Sequence, residues 1–106
     1  MYVTNPPAVP DGIATKSSDP GIQAVEYACM QAGVNYDVLD PPVLGQWTKD
    51  WPEVVQIVLP DVGVHLAIAT ATNSNLKERH VEGQLLLDGQ QGIDSLVGIL
   101  ASLRKA

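Results

Sequence analysis

His65, Glu78, His80 and Glu82 are the side chains in this sequence whose types and spacing would best suit a metal ion. Glu78, His80 and Glu82 alternate, so an extended backbone would turn all three to one side. Imidazole and carboxylate both ligate divalent metals, and His65, with Asp61 just before it, could approach them across a sheet. Such a centre would serve a small metal-dependent or small-molecule-binding enzyme. The alternative is a polar stripe facing solvent on an edge strand, where charge deters edge-to-edge pairing. Neither an H-x-x-x-H nor a C-x-x-C spacing is present to favour the metal.

Other chemistries find less to work with. Cys29 is the single cysteine, so no intrachain disulfide can form, and a reducing, cytoplasmic setting is expected. It lies late in a predicted helix, at the negative end of the dipole, where a thiolate gains nothing; it is expected to pack as a small hydrophobe. Ser17, Ser18, Ser74, Ser95 and Ser102 fall in loops or helices without a G-x-S-x-G elbow, so no catalytic triad can be drawn. The segment Asp88-Gly89-Gln90-Gln91-Gly92 runs from a strand into a helix and could offer backbone N–H groups to an anion. It lacks the glycine pattern and lysine of a P-loop, and its glycines are expected simply to turn the chain. No cofactor is implied.

Trp47 and Trp51 form a different kind of constellation. They stand four apart in a short segment, 43–51, that could make one or two helical turns before Pro52. Tryptophan is enriched at binding hot spots, and Asp40, Asp50 and Glu53 surround this pair. The competing role is to cap a core that has no Phe.

Charge is unevenly placed. Residues 19–61 hold seven acids against Lys49 alone, while the rest of the chain is balanced, so the net charge of −6 belongs to the middle segment. Lacking clustered Lys and Arg, the chain does not suit a phosphate backbone, and nucleic acid is not an expected partner. The acidity is either a solubilising surface or a face for a basic protein. Hydrophobic residues make up 45% and charged residues 17%, the composition of a soluble globular protein. One domain over 1–106 is expected, burying roughly two thirds of its unfolded surface. No apolar run approaches a membrane span, and residues 1–12 lack the basic and apolar regions of a signal peptide.

The elements that must position these residues can be read from spacing. Val54–Leu59 and Val64–Ala71 alternate around Pro60-Asp61-Val62-Gly63 and predict a hairpin. Lys77–Leu87 is expected to add a third strand to this meander, with a bulge at Gly83. The alanines of the second strand suggest a face that a helix can approach closely. Asp19-Pro20 predicts a helix start and Gly33 its end, with Ile22, Val25, Cys29 and Ala32 in one apolar stripe and Glu26 at its border. Asn35–Leu39 is expected as a short strand. A second helix begins near Gln91 and buries Ile93, Leu96, Val97, Leu100 and Leu103. Gly98 within it costs helix propensity and suggests close packing against another element or subunit. Residues 1–19 read as an irregular arm or small hairpin, with Tyr2–Thr4 able to join a sheet edge.

The strand–helix–strand opening resembles thioredoxin-like proteins, without their C-x-x-C. The order helix, strand, hairpin is similar in outline to restriction-endonuclease-like nucleases, in which a hairpin Asp and a Glu-x-Lys hold a metal. Asp61 could take the first place, but Ala67-Ile68-Ala69-Thr70 stands where the acid and lysine belong. The expectation is therefore an α+β domain: a mostly antiparallel sheet centred on a 54–87 meander, with helices near 20–32 and 91–104 packed on it. Its expected role is protein–protein association, as an oligomer or assembly subunit, adaptor or inhibitor, with Trp47, Trp51, Asp40, Asp50 and Glu53 in the contact.

Overall fold

The computed structural model describes residues 1–39, 55–70 and 85–105. Five strands and two helices follow in the order β1 (Tyr2–Thr4), α1 (Pro20–Ala32), β2 (Asp37–Leu39), β3 (Val55–Leu59), β4 (Val64–Thr70), β5 (Leu86–Asp88) and α2 (Gly89–Lys105). The strands form one mixed sheet in the order β2-β3-β4-β1-β5. Both helices pack on it, giving the α+β architecture expected.

The antiparallel meander is β2-β3-β4. Val55 pairs with Ile68 and Leu59 with Val64, so residues 60–63 make the turn, and Gly63 takes the positive φ of +67° that closes it. On the other side of β3, Asp37 pairs with Val58. The meander does not continue into β5. Leu86–Asp88 instead runs parallel to β1, which lies between β4 and β5 and is parallel to both. Residues 77–84, including the bulge expected at Gly83, lie outside the described residues.

Tyr2–Thr4, which the sequence left free to join a sheet edge, is thus an interior strand. Its three residues are apolar or β-branched, and Tyr2 and Val3 are both 1% exposed. A strand buried on both faces shows no alternation, and three residues are too few to reveal the pattern.

Pairing register assigns the faces. Val3, Ile57, Leu59, Ile68 and Leu87 point into the core with Ile22, Val25 and Cys29 of α1 and Ile93, Leu96 and Leu100 of α2. Ala67 and Ala69 point the other way and pack with Tyr2. The alanine row is therefore not the surface the helices approach; they rest on the Val, Leu and Ile side, where more apolar area can be buried.

The helix ends follow their local chemistry. Asp19 accepts hydrogen bonds from the N–H groups of Gly21 and Ile22 at 2.9 and 3.2 Å, Pro20 fills the first position, and Gly33 ends α1 at φ +70°. Helix α2 starts directly from β5 at Gly89. Three residues on, Gly92 is pressed against that strand: a Cβ there would lie 2.7 Å from the Leu87 carbonyl carbon.

Candidate interaction surface

The most completely built polar centre among the described residues is Glu26. It lies one position after Val25 on α1, yet it is fully buried, where the apolar stripe placed it at the border. Its Oε1 accepts from the backbone N–H of Lys16 at 2.7 Å and from the Tyr36 hydroxyl at 2.9 Å; Oε2 accepts from the N–H of Ser17 at 3.1 Å. These bonds tie the segment before α1 and the segment before β2 to one carboxylate. Lys16 adds an exposed ion pair with Asp37 at 2.9 Å and stands 5.1 Å from the centre of the Tyr36 ring.

Electrostatics follow from this packing. Burial, then the hydrogen bond and charge of Glu26, push the Tyr36 hydroxyl well above its ordinary range. Burial and the same carboxylate push the Cys29 thiol up to about 12, so it stays protonated and unreactive, as its helical position implied. The Lys16 bond and charge hold Asp37 below the usual carboxylate range. With both oxygens engaged and no exposed edge, Glu26 fastens a loop and has no face left for a substrate.

A smaller polar group sits where the parallel strands end. Thr4 Oγ1 and Asn5 Nδ2 each donate to Asp88 Oδ1 at 2.9 Å, and the Asn5 bond, then that of Thr4, lowers the Asp88 carboxyl. Asn5 occupies the left-handed region at φ +47°, and Gly89 follows Asp88 at φ +64°. A cleft of about 270 Å³ lies between the 7–10 loop, Tyr27 and Gln31 of α1 and Gln90 of α2. Tyr27 is the one ionisable residue among its described lining, so the cleft offers no acid–base pair.

Of the metal set, His65 is described: it is exposed on β4, paired with Val58, on the face turned from the helices. Glu78, His80 and Glu82 lie outside the described residues, as do Trp47, Trp51, Asp40, Asp50 and Glu53. Among the described residues no three His, Cys, Asp or Glu side chains converge as a metal site would require, and no helix is long and apolar enough to cross a membrane. The acids of the middle segment that are described each have a local partner. Asp19 caps α1, Glu26 fastens the loop, Asp37 pairs with Lys16, and Asp61 accepts from Asn35 Nδ2 at 2.6 Å.

An apolar surface remains on the β5 side of the sheet. Among the described strands β5 is an edge, hydrogen-bonded to β1 alone. Leu85 and Leu86 are each 44% exposed there. Leu86 and Asp88 share a shallow groove with Gln91, Gly92 and Ser95 of α2. Four residues beyond Ser95, Ile99 continues the same side of the helix at 45% exposure. Beside it Gly98 is exposed, and a Cβ added there would meet nothing within 4 Å. The close packing expected of Gly98 is therefore not supplied by the described residues of its own chain. Ile99 itself was overlooked in the sequence, although it breaks the buried 93-96-97-100-103 pattern and so marks an apolar residue with no place in the core. The chain matches no family model, no curated protein and no solved structure.

Proposed function

We propose that this chain is a small non-enzymatic domain that acts by protein–protein association, as a subunit of an oligomer or larger assembly or as an adaptor or inhibitor. The observation that carries this reading is β5, an edge among the described strands, with Leu85 and Leu86 exposed on it and Ile99 exposed on α2. A strand edge left free by the other described strands offers backbone donors and acceptors to another chain, and exposed apolar side chains supply the area that a contact must bury. The polar centres support it from the other side: Glu26 is consumed in holding a loop, and Asp88 in joining β1 to β5. The segment carrying Trp47 and Trp51 between Asp40, Asp50 and Glu53 is proposed as a second contact, on the ground that tryptophans dominate binding energetics.

The test is to cross-link the protein gently in its native extract and size it. The chain is expected in a species larger than itself. Leu86→Asp, which places a charge on the edge without touching the core, is expected to reduce that species. In parallel, acrylamide is expected to quench the tryptophan fluorescence of the isolated chain and to quench it less in the complex. A chain that runs alone at every concentration, with tryptophans shielded throughout, would overturn the reading.

A further inference from the structure

We propose that residues 6–16 form a strap across the seam between α1 and α2, clasped by the Glu26 carboxylate and released when that carboxylate takes up a proton, so that the cleft walled by residues 7–10 opens. Apolar burial contributes little to holding this stretch in place: no residue from Asn5 to Ser18 is buried, and Ile13 is 37% exposed. Pro6, Pro7 and Pro10 have no N–H to offer. Among the described residues, the backbone N–H groups of 6–18 reach the rest of the fold at Lys16 and Ser17, and both end on Glu26, at 2.7 and 3.1 Å.

The two ends of the strap are fixed by bonds that a proton on Glu26 leaves alone. Asn5 is tied to Asp88 at 2.9 Å and turns the chain at φ +47°. At the start of α1, the Ser17 carbonyl accepts from Gln23 Nε2 at 2.9 Å and the Ser17 hydroxyl from the Asp19 N–H at 3.1 Å. Between these pivots the strap runs along the cleft, whose other lining includes Tyr27 and the buried Ala24 of α1 and the buried Ile93 of α2. Lifting it bares that seam without breaking a strand or helix bond, the local opening open to a segment with few buried contacts.

The clasp is an acceptor surrounded by donors. Oε1 takes the Lys16 N–H and the Tyr36 hydroxyl, and Oε2 takes the Ser17 N–H. An ionised carboxylate serves all three, whereas a neutral one has turned an oxygen into an O–H donor. The Tyr36 hydroxyl can rotate to accept that hydrogen, but an amide N–H cannot; protonation therefore costs one amide its acceptor and the other the charge that strengthened its bond. The other groups facing Glu26 do not respond to acid in this way. Tyr36, from the stretch before β2, and Cys29, one turn on in α1, already carry their protons and are held so by burial and the Glu26 charge. Lys16 turns its ammonium to Asp37 at 2.9 Å, and Asp19 caps α1 through Gly21 and Ile22. Asp37, held low by Lys16, and Asp88, held low by Asn5 and Thr4, keep their charge further into acid than an ordinary carboxylate. The strap is thus closed at neutral pH and opens as the pH falls.

An acid titration of the full chain followed by NMR tests the device. A nitroxide on Gln31→Cys, an exposed position lining the same cleft as residues 7–10, broadens the Ala8 and Val9 amides while the strap is closed; Cys29 is buried and takes no label. As the pH falls through the carboxylate range, about 5 to 3, protection of the Lys16 and Ser17 amides, corrected for intrinsic exchange, is expected to drop at least about tenfold. The broadening at 8 and 9 is expected to fall with it, while the core amides of α1 keep their protection. Glu26→Gln, which carries a donor on that carboxyl at every pH, is expected to show the open pattern at pH 7 and no further change in acid. Asp37→Asn, which removes the Lys16 ion pair alone, is expected to keep the wild-type acid response. Protection at 16 and 17 lost only together with the core, an acid response intact in Glu26→Gln or abolished in Asp37→Asn, or broadening at 8 and 9 that persists while 16 and 17 open would each overturn the proposal.

Discussion

Replacing Glu26 with alanine removes three hydrogen bonds at once, and the structure sets how much that should cost. The carboxylate is fully buried and accepts from the Lys16 and Ser17 N–H groups and the Tyr36 hydroxyl at 2.7, 3.1 and 2.9 Å. Hydrogen bonds to a charged group contribute about 1.5–3 kcal/mol each, which would sum to more than 4 kcal/mol if all three donors stayed buried and unpaired. They do not stay so: Lys16 is exposed and Ser17 half-buried, so water reaches the two amides once the loop lifts. The expected loss for Glu26→Ala is therefore about 2–4 kcal/mol, out of a total stability of about 5–15 kcal/mol. Glu26→Gln keeps the shape but turns an NH₂ towards one of the donors, and should cost about 1–2 kcal/mol; Tyr36→Phe, which loses one bond, about 1 kcal/mol. Urea denaturation followed by circular dichroism measures all three. Hydrogen exchange separates the mechanism from general weakening: the Lys16 and Ser17 amides should lose protection in the Glu26 variants under conditions where the core amides of α1 keep theirs. Glu26→Ala within about 0.5 kcal/mol of wild type, the range of an ordinary surface change, or unchanged exchange at residues 16 and 17, would refute this account of the loop.

Two glycines of α2 should answer the same substitution with opposite signs. Gly92→Ala forces a methyl to within 2.7 Å of the Leu87 backbone and is expected to destabilise by about 1–3 kcal/mol, whereas Gly98→Ala, in open space, should raise monomer stability by up to about 1 kcal/mol; thermal melts at low concentration compare them. Alkali should destabilise the protein through Cys29 and Tyr36. Both groups titrate above their ordinary values of 9 and 10 in the fold. Below about pH 8 neither state releases these protons and nothing changes. Above pH 9 the unfolded chain gives up the Cys29 proton, and above pH 10 that of Tyr36, while the native chain retains them, so stability falls by up to about 1.4 kcal/mol per pH unit through Cys29 and by less through the solvent-screened Tyr36. Denaturation midpoints from pH 7 to 11 should decline accordingly, and more gently in Cys29→Ala; equal slopes in variant and wild type would contradict the burial assigned to the thiol.

How much of this could be read from residues alone depended on how local the determining physics was. Helix α1 was legible to the residue, because Asp19, Pro20 and Gly33 act on backbone groups within one turn of themselves. The β3–β4 hairpin was legible because strand alternation and its turn lie next to one another. The position of β1 was not, since Tyr2–Thr4 is held by partners in β4 and β5 that lie 67 and 84 residues away in the chain, and nothing in three residues records that. The same limit hid the parallel course of Leu86–Asp88 and the direction in which Ala67 and Ala69 face. Glu26 was misjudged for a related reason: its helical position permits burial, but its partners come from two other segments. At the candidate surface the clues were present as exceptions. Gly98 and Ile99 violate the pattern of an otherwise regular amphipathic helix, and each exception proved to be a solvent-facing feature.

The interior place of β1 also dictates an order of events in folding. The meander β2-β3-β4 joins neighbours in the chain and can assemble early, but its β4 side stays open until Tyr2–Thr4 arrives, and β5 has no place to pair before then. A strand early in the chain is thus required by strands made later. Such distant pairings slow folding, and they leave a transient edge of Leu66, Ile68 and their backbone groups available to other chains. Conditions that delay that insertion should therefore divert nascent chains into aggregates without altering the stability of molecules already folded.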